Sequence, residues 1–246
     1  MAANPASEIM RDLPERIDIP ATPTSSRVRV KLVQRPDMPV SWSYIHANIP
    51  NMLDDIQPDL VLHIGLYSRR PSLWSIEYSA PLHGFTAPDV DGRVWQSQAA
   101  EVPGHPGVQA ADMPKSLHTS LDHTGIARQW QVLCEALTTD IEQSDQGPRR
   151  TTEWKADVGP TDGVGAFLCG FSYCTSLAHY YLRRQRVQVP RSSSPRQAES
   201  GRSEKSTGGP VLFLHTPECP TEAHVKLGNQ ILINLLQAMV ESYLSP

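Results

Sequence analysis

Asp59-Leu-Val-Leu-His-Ile-Gly65 is a short apolar run that ends in glycine. Its composition is that of a strand buried on both faces, as in a parallel sheet. Val211-Leu-Phe-Leu214 repeats the signature near the other end of the chain, with His215 directly after it. Helical patterns lie around these runs. Leu121 to Leu137 carries Ile126, Trp130, Leu133 and Leu137 on one face. Phe171, Cys174, Leu177, Tyr181 and Leu182 mark a helix that starts just after Cys169. From about Thr221, the residues Val225, Leu232, Leu235, Leu236, Met239 and Tyr243 form one stripe. Strands interleaved with helices predict an α/β protein with a mainly parallel sheet.

Working outward, Asn4-Pro5 supplies a cap and a first helical residue, and Ile9, Met10, Leu13 and Ile17 follow at helical spacing. Arg27 to Val33 alternates as a half-buried strand does. Val40 to His46 reads as extended and leads into a helix over Asn51 to Ile56. Leu73 to Tyr78 reads as another extended piece, followed by a turn at Pro88-Asp-Val-Asp-Gly92. Residues 96–114 have loop composition, Thr138 to Arg150 is a polar stretch, and Trp154 to Val158 reads as a strand. Gln185 to Gly209 is rich in Ser, Arg, Pro and Gly with hardly a hydrophobe, so a disordered insertion is expected there. The whole of residues 1–246 reads as one domain around that insertion.

Composition removes several function classes. A formal net charge of −4 leaves no basic footprint for nucleic acid. No apolar run reaches the ~18 residues of a membrane span. The first residues lack the basic and apolar regions of a secretory signal, so a soluble, cytoplasmic protein is expected. The four cysteines, Cys134, Cys169, Cys174 and Cys219, form no C-x-x-C pair, and no histidine cluster has zinc spacing. A metal site therefore has little support.

Three residues could carry chemistry. Cys169, in Val164-Gly-Ala-Phe-Leu-Cys169-Gly-Phe, falls in the first turn of its helix. Unpaired N–H groups and the helix dipole favour a thiolate there and could also receive an oxyanion. The bland reading of Cys169 is a small buried hydrophobe. His215 sits at the carboxyl end of a strand, the edge where open α/β sheets bind ligands. Its bland reading is a surface histidine. Glu77, inside the apolar Leu73-Trp-Ser-Ile-Glu-Tyr78, needs either a partner or a path to water, and it could orient an imidazole. A serine α/β-hydrolase is excluded because no G-x-S-x-G elbow is present.

Five segments taken in order carry a resemblance. They are Asp59 to Gly65, Ser75-Ile-Glu77, Asp89-Val-Asp-Gly92, Gly165-Ala-Phe-Leu-Cys169-Gly-Phe and Phe213-Leu-His215-Thr-Pro217. With Thr119-Ser-Leu-Asp122 and Tyr173-Cys-Thr-Ser-Leu-Ala178, they resemble pyroglutamyl peptidase I, the pyrrolidone-carboxylate peptidase family of cysteine peptidases, in its fungal branch. The resemblance implies a three-layer α/β/α sandwich and a peptidase that removes N-terminal pyroglutamate from peptides without metal or organic cofactor. Carried over, Cys169 is the nucleophile, His215 the general base and then acid, and Glu77 the orienting carboxylate. The substrate-contacting basic residue is Arg70, with Arg69 as the alternative.

The chain also departs from that family. It opens Met1-Ala-Ala-Asn4-Pro5, at the family's Asn-Pro step, so it is expected to be truncated and to lack the family's first strand and Gly-Phe-Gly-Pro-Phe loop. Leu66 replaces a common Gln, and Gly170 replaces the acidic residue after the cysteine. Loss of the loop predicts weak turnover. It also keeps a second reading open, that of an inactive homologue acting as a peptide-binding or scaffold protein.

Overall fold

The computed structural model describes the chain except residues 1–3, 22–25, 68–72, 96–100, 144–149, 162, 189–207, 220 and 246. Four strands make the central sheet: β3 (Val61–Leu66), β4 (Leu73–Glu77), β11 (Asp157–Thr161) and β12 (Val211–Thr216). Their order is β11-β4-β12-β3. The β11–β4 and β12–β3 pairings are parallel, and β12–β4 is antiparallel. Two antiparallel hairpins stand apart from this sheet: β1 (Arg16–Ile19) with β2 (Val28–Lys31), and β9 (Thr138–Gln143) with β10 (Arg150–Lys155). Two further short pairs complete the strands: β5 (Ser79–Pro81) with β8 (Ser116–His118), and β6 (Glu101–Val102) with β7 (His105–Gln109).

Helices cover both faces of the central sheet, which gives the three layers. On one face, α2 (Trp42–Ile56) and α4 (Leu168–Gln188) pack Trp42, Ile45, Ile49, Phe171, Cys174 and Leu177 against Val211 and Phe213. On the other, α1 (Pro5–Arg11), α3 (His123–Cys134) and α5 (Glu222–Leu244) pack Ile9, Ile126, Trp130, Ile231 and Leu235 against Trp74, Ile76, Leu212 and Leu214. Strand alternation divides the residues between the faces. Trp74 and Ile76 turn one way; Ser75 and Glu77 therefore turn the other, with Phe213 and His215. No described helix is long and apolar enough to cross a membrane.

Several local expectations are corrected. The first helix stops at Arg11, and Ile17 lies in β1, where it and Ile19 pack on Val240. Val40 to His46 is not extended, because α2 begins at Trp42. The buried residues Trp42, Ile45, Ile49 and Leu53 hold helical spacing through Pro50, and Asp89 accepts the Trp42 N–H at 3.2 Å in place of a Ser41 side-chain cap. Strand β3 is only half-buried, since it has a described neighbour on one side alone. Residues 96–114 include the β6–β7 hairpin, and the polar stretch after Leu137 forms the β9–β10 hairpin. Most of the expected insertion over Gln185 to Gly209 lies outside the described residues. At its borders, α4 continues through Gln188, and the Gly208 N–H donates to the His118 carbonyl at 2.7 Å.

Candidate active site

The β12 strand places His215 opposite Gly65 of β3 on one side and opposite Ser75 of β4 on the other. Glu77 is two residues beyond Ser75, on the same face. Its Oε1 lies 2.8 Å from His215 Nδ1, with both side chains 2% exposed. A carboxylate only accepts, so the Nδ1 position carries the proton and Nε2 remains available as a base. The Ser75 hydroxyl donates to the same Oε1 at 3.2 Å, and the Gly163 N–H donates to Oε2 at 3.1 Å. Burial acts to raise the Glu77 pKa. Hydrogen bonds from His215, Thr161 and Gly163 outweigh it and leave the carboxyl below its ordinary value. At neutral pH the group is an ionised, fully engaged carboxylate.

Cys169 is the second residue of α4 and is partly exposed. Its sulfur lies 3.2 Å from where a Cβ on Gly65 would be, so the thiol rests on the strand residue registered with His215. That hypothetical Cβ would also come within 2.8 Å of Phe213 Cζ. Gly65 thus leaves space for a sulfur and a ring at one point. The His215 ring is bordered by Phe213 and Tyr67, at centroid distances of 4.6 and 5.1 Å. The structure therefore brings Glu77, Cys169 and His215 to one face of the sheet. Arg69 and Arg70 lie outside the described residues.

The helix start does not lower the thiol's pKa as expected from its position. Burial pushes it up to about 11; the residue's own backbone N–H pulls it down, and the charge of Glu77 pushes it further up. Desolvation of the thiolate outweighs the first-turn dipole here. The resting group is a thiol whose proton must be moved.

An aromatic cluster borders the entry to α4. Trp42 packs edge-on against Phe167 and Phe171 at centroid distances of 5.7 and 4.9 Å, and Phe85 and Trp95 pack on Phe171. Phe167, two residues before Cys169, is 38% exposed. The turn Asp89 to Gly92 supports this corner: Asp89 Oδ1 accepts the N–H groups of Asp91 and Arg93 while Oδ2 holds Trp42. Gly170 is also required, because a Cβ there would collide with the Gly165 carbonyl oxygen. Gly165 itself has φ +81°.

Sequence reasoning missed Ser75, Gly65 and the Gly163 N–H. Ser75 had a signal, since residues two apart on a strand share a face. The contact at Gly65 and the Gly163 bond join segments distant in sequence and had none. Among the described residues no group of three His, Cys, Asp or Glu is placed to hold a metal ion.

The sheet order, the helical layers and the strand-end histidine define an α/β/α protein with an acid–imidazole–thiol face. Solved structures that resemble it include pyrrolidone carboxyl peptidases. A mutant of the enzyme from the hyperthermophile Pyrococcus furiosus aligns with TM-score 0.59 and 16% identity, over 98% of this chain and 92% of that one. The P. furiosus enzyme described with its cys-free mutant gives TM-score 0.59 and 17% identity, over 98% and 93%. The pyrrolidone carboxyl peptidase from Thermococcus litoralis gives TM-score 0.54 and 15% identity, over 98% and 89%. The chain has the pyrrolidone carboxyl peptidase fold. No protein-family model and no curated protein matches the sequence.

Proposed function

We propose that this chain is a cysteine peptidase of the pyroglutamyl peptidase I family, removing an N-terminal pyroglutamyl residue from peptides. The observation that carries the reading is the 2.8 Å bond between Glu77 and His215, beside a thiol seated on His215's strand neighbour, in a chain of that fold. In this reading His215 Nε2 takes the Cys169 proton and the sulfur attacks the carbonyl that links pyroglutamate to the next residue. The carbon–nitrogen bond then breaks, and His215 returns the proton to the leaving amine. Water, deprotonated by the same imidazole, opens the thioester and releases pyroglutamate and the thiol. Glu77 holds the imidazole's tautomer and stabilises the imidazolium while the thiolate exists. The exposed ring of Phe167 offers an apolar wall to the flat lactam. Peptides are the expected partners, and a reduced thiol suits the cytoplasm.

The test is release of the fluorophore from a pyroglutamyl coumarylamide at neutral pH under reducing conditions. Turnover that Cys169→Ser removes, with no cleavage of the alanyl coumarylamide, supports the reading. The second reading, an inactive peptide-binding homologue, is favoured by a thiol pKa of about 11. It predicts binding of a pyroglutamyl peptide without turnover.

A further inference from the structure

His63 interrupts the apolar run Asp59-Leu-Val-Leu-His-Ile-Gly65, and the chemistry above makes no use of it. Strand alternation puts it on the same face of β3 as Gly65, on which the Cys169 sulfur rests. Its Nε2 meets the Ser176 hydroxyl of α4 at 2.8 Å, and Ser176 is fully buried. Burial lowers the His63 pKa to about 4, so at pH 7 the ring is neutral and the bond joins two uncharged groups. Burying an imidazole costs free energy that an aliphatic side chain would not. What the histidine adds over a leucine is the directed bond to α4.

That bond fixes α4 along its own axis. Ser176 lies two helical turns after Cys169, so both side chains leave one face of α4. Gly65 and His63 receive them in reverse order, because the helix runs back along the strand. The Tyr173 hydroxyl of α4 donates to the Val211 carbonyl of β12 at 3.2 Å and ties the helix to the sheet as well. Apolar packing is non-directional and lets a helix slide. A hydrogen bond holds its partners to a narrow range of distance and angle. A slide of α4 would carry Cys169 along β3 and away from its seat on Gly65.

A second route runs through Phe213. His63 and Phe213 are registered partners on β3 and β12, and their rings lie parallel, with planes 4° apart and centroids 6.0 Å apart. Tyr173 closes the group, at centroid distances of 6.4 Å from His63 and 6.0 Å from Phe213. Phe213 borders the His215 ring at 4.6 Å, and its Cζ converges with the Cys169 sulfur on Gly65. The ring beside His63 thus adjoins both the imidazole and the thiol.

We propose that His63 is a positioning residue, which sets the separation of the Cys169 sulfur and the His215 imidazole through Ser176 on one side and Phe213 on the other. In this role, which rests on the cysteine-peptidase reading, His63 acts through its neighbours.

The experiment compares the full chain with His63→Leu, Ser176→Ala, their double variant and His63→Gln, whose amide can still bond Ser176. Kinetics on pyroglutamyl coumarylamide are measured beside the pH profile of Cys169 alkylation by iodoacetamide, followed by mass spectrometry of the Cys169 peptide. His63→Leu and Ser176→Ala should each lower kcat about tenfold with KM little changed. Both should move the alkylation midpoint to higher pH, because a displaced imidazole stabilises the thiolate less. The double variant should lose no more than either single one, and His63→Gln should keep most of the wild-type kcat and profile. A lower melting temperature with unchanged kcat and profile would overturn the assignment, as would additive losses or a His63→Gln as impaired as His63→Leu. The alkylation profile needs no substrate. A chain that turns over no pyroglutamyl substrate therefore overturns the peptidase reading, while the profile still decides the role of His63.

Discussion

Glu77 and His215 face each other across two strands that run antiparallel inside an otherwise parallel sheet, and their side chains meet at 2.8 Å with almost no exposure. Antiparallel pairing puts the carboxyl end of β12 beside the middle of β4, where Ser75 sits, and the acid reaches the imidazole diagonally. The pair depends on strand register, and a one-residue slip would turn Glu77 into the opposite core layer.

Glu77→Gln keeps the shape and removes the charge that stabilises the imidazolium. The expected outcome is a fall in kcat of about a hundredfold or more, with KM for a pyroglutamyl substrate little changed. Steady-state kinetics beside circular dichroism checks it. Unaltered kcat would remove Glu77 from the mechanism.

The same carboxylate sets an acid limit on stability. Its folded pKa is below its ordinary 4.5, so the unfolded state binds the proton more readily. The stabilisation is fully present above pH 4.5 and disappears as the pH falls through the lower, folded value. His63 adds a limit of the same sign at higher pH. Burial takes it from 6.5 to about 4, and its Nε2 meets the Ser176 hydroxyl at 2.8 Å. Its contribution is complete above pH 6.5 and is lost progressively down to about pH 4. Urea midpoints measured from pH 8 to 4 should fall below 6.5, and His63→Gln should flatten part of that slope.

Gly65→Ala tests the seat of the thiol. The added methyl group would meet Phe213 Cζ at 2.8 Å and the Cys169 sulfur at 3.2 Å, so one of them must shift. Overpacking of this kind costs about 1–3 kcal/mol. A kcat loss greater than any change in KM is expected, together with a lower melting temperature. Wild-type kinetics would show that the thiol is not held there.

These tests separate what the sequence displayed from what it concealed. Strands β3 and β12 were legible because short apolar runs have few other uses, and Leu73 to Tyr78 was legible as extended, whereas the strand expected over Trp154 to Val158 is divided between β10 and β11. Cys169, Glu77 and His215 stood out by position, but only the resemblance joined them into one set. The helix at Trp42 was obscured by Pro50, which reads as a helix start, and by an aromatic and β-branched stretch that reads as extended. Ile17 continued a helical spacing by coincidence, while its burial against Val240 is a tertiary contact. The rise in the Cys169 pKa was hidden for a similar reason: the helix start is a local feature, whereas burial is set by the assembled layers.

Phe167→Ala should raise KM for a pyroglutamyl substrate several-fold and lower kcat less, since Phe167 is 38% exposed and lies two residues before Cys169, with its edge-on contact to Trp42 the packing that the change removes. Michaelis constants for pyroglutamyl coumarylamide decide it. An unchanged KM would place the lactam elsewhere.

The central claim is that Cys169 carries the acyl group, and trapping that intermediate tests it most directly. The chain is incubated with a pyroglutamyl ester, quenched in acid within the first turnovers, digested and mapped by mass spectrometry. The account predicts a pyroglutamyl adduct on the peptide containing Cys169, absent in Cys169→Ala and accumulating to a lower level in His215→Ala. An adduct on another residue, or substrate turnover that persists in Cys169→Ala, would contradict it.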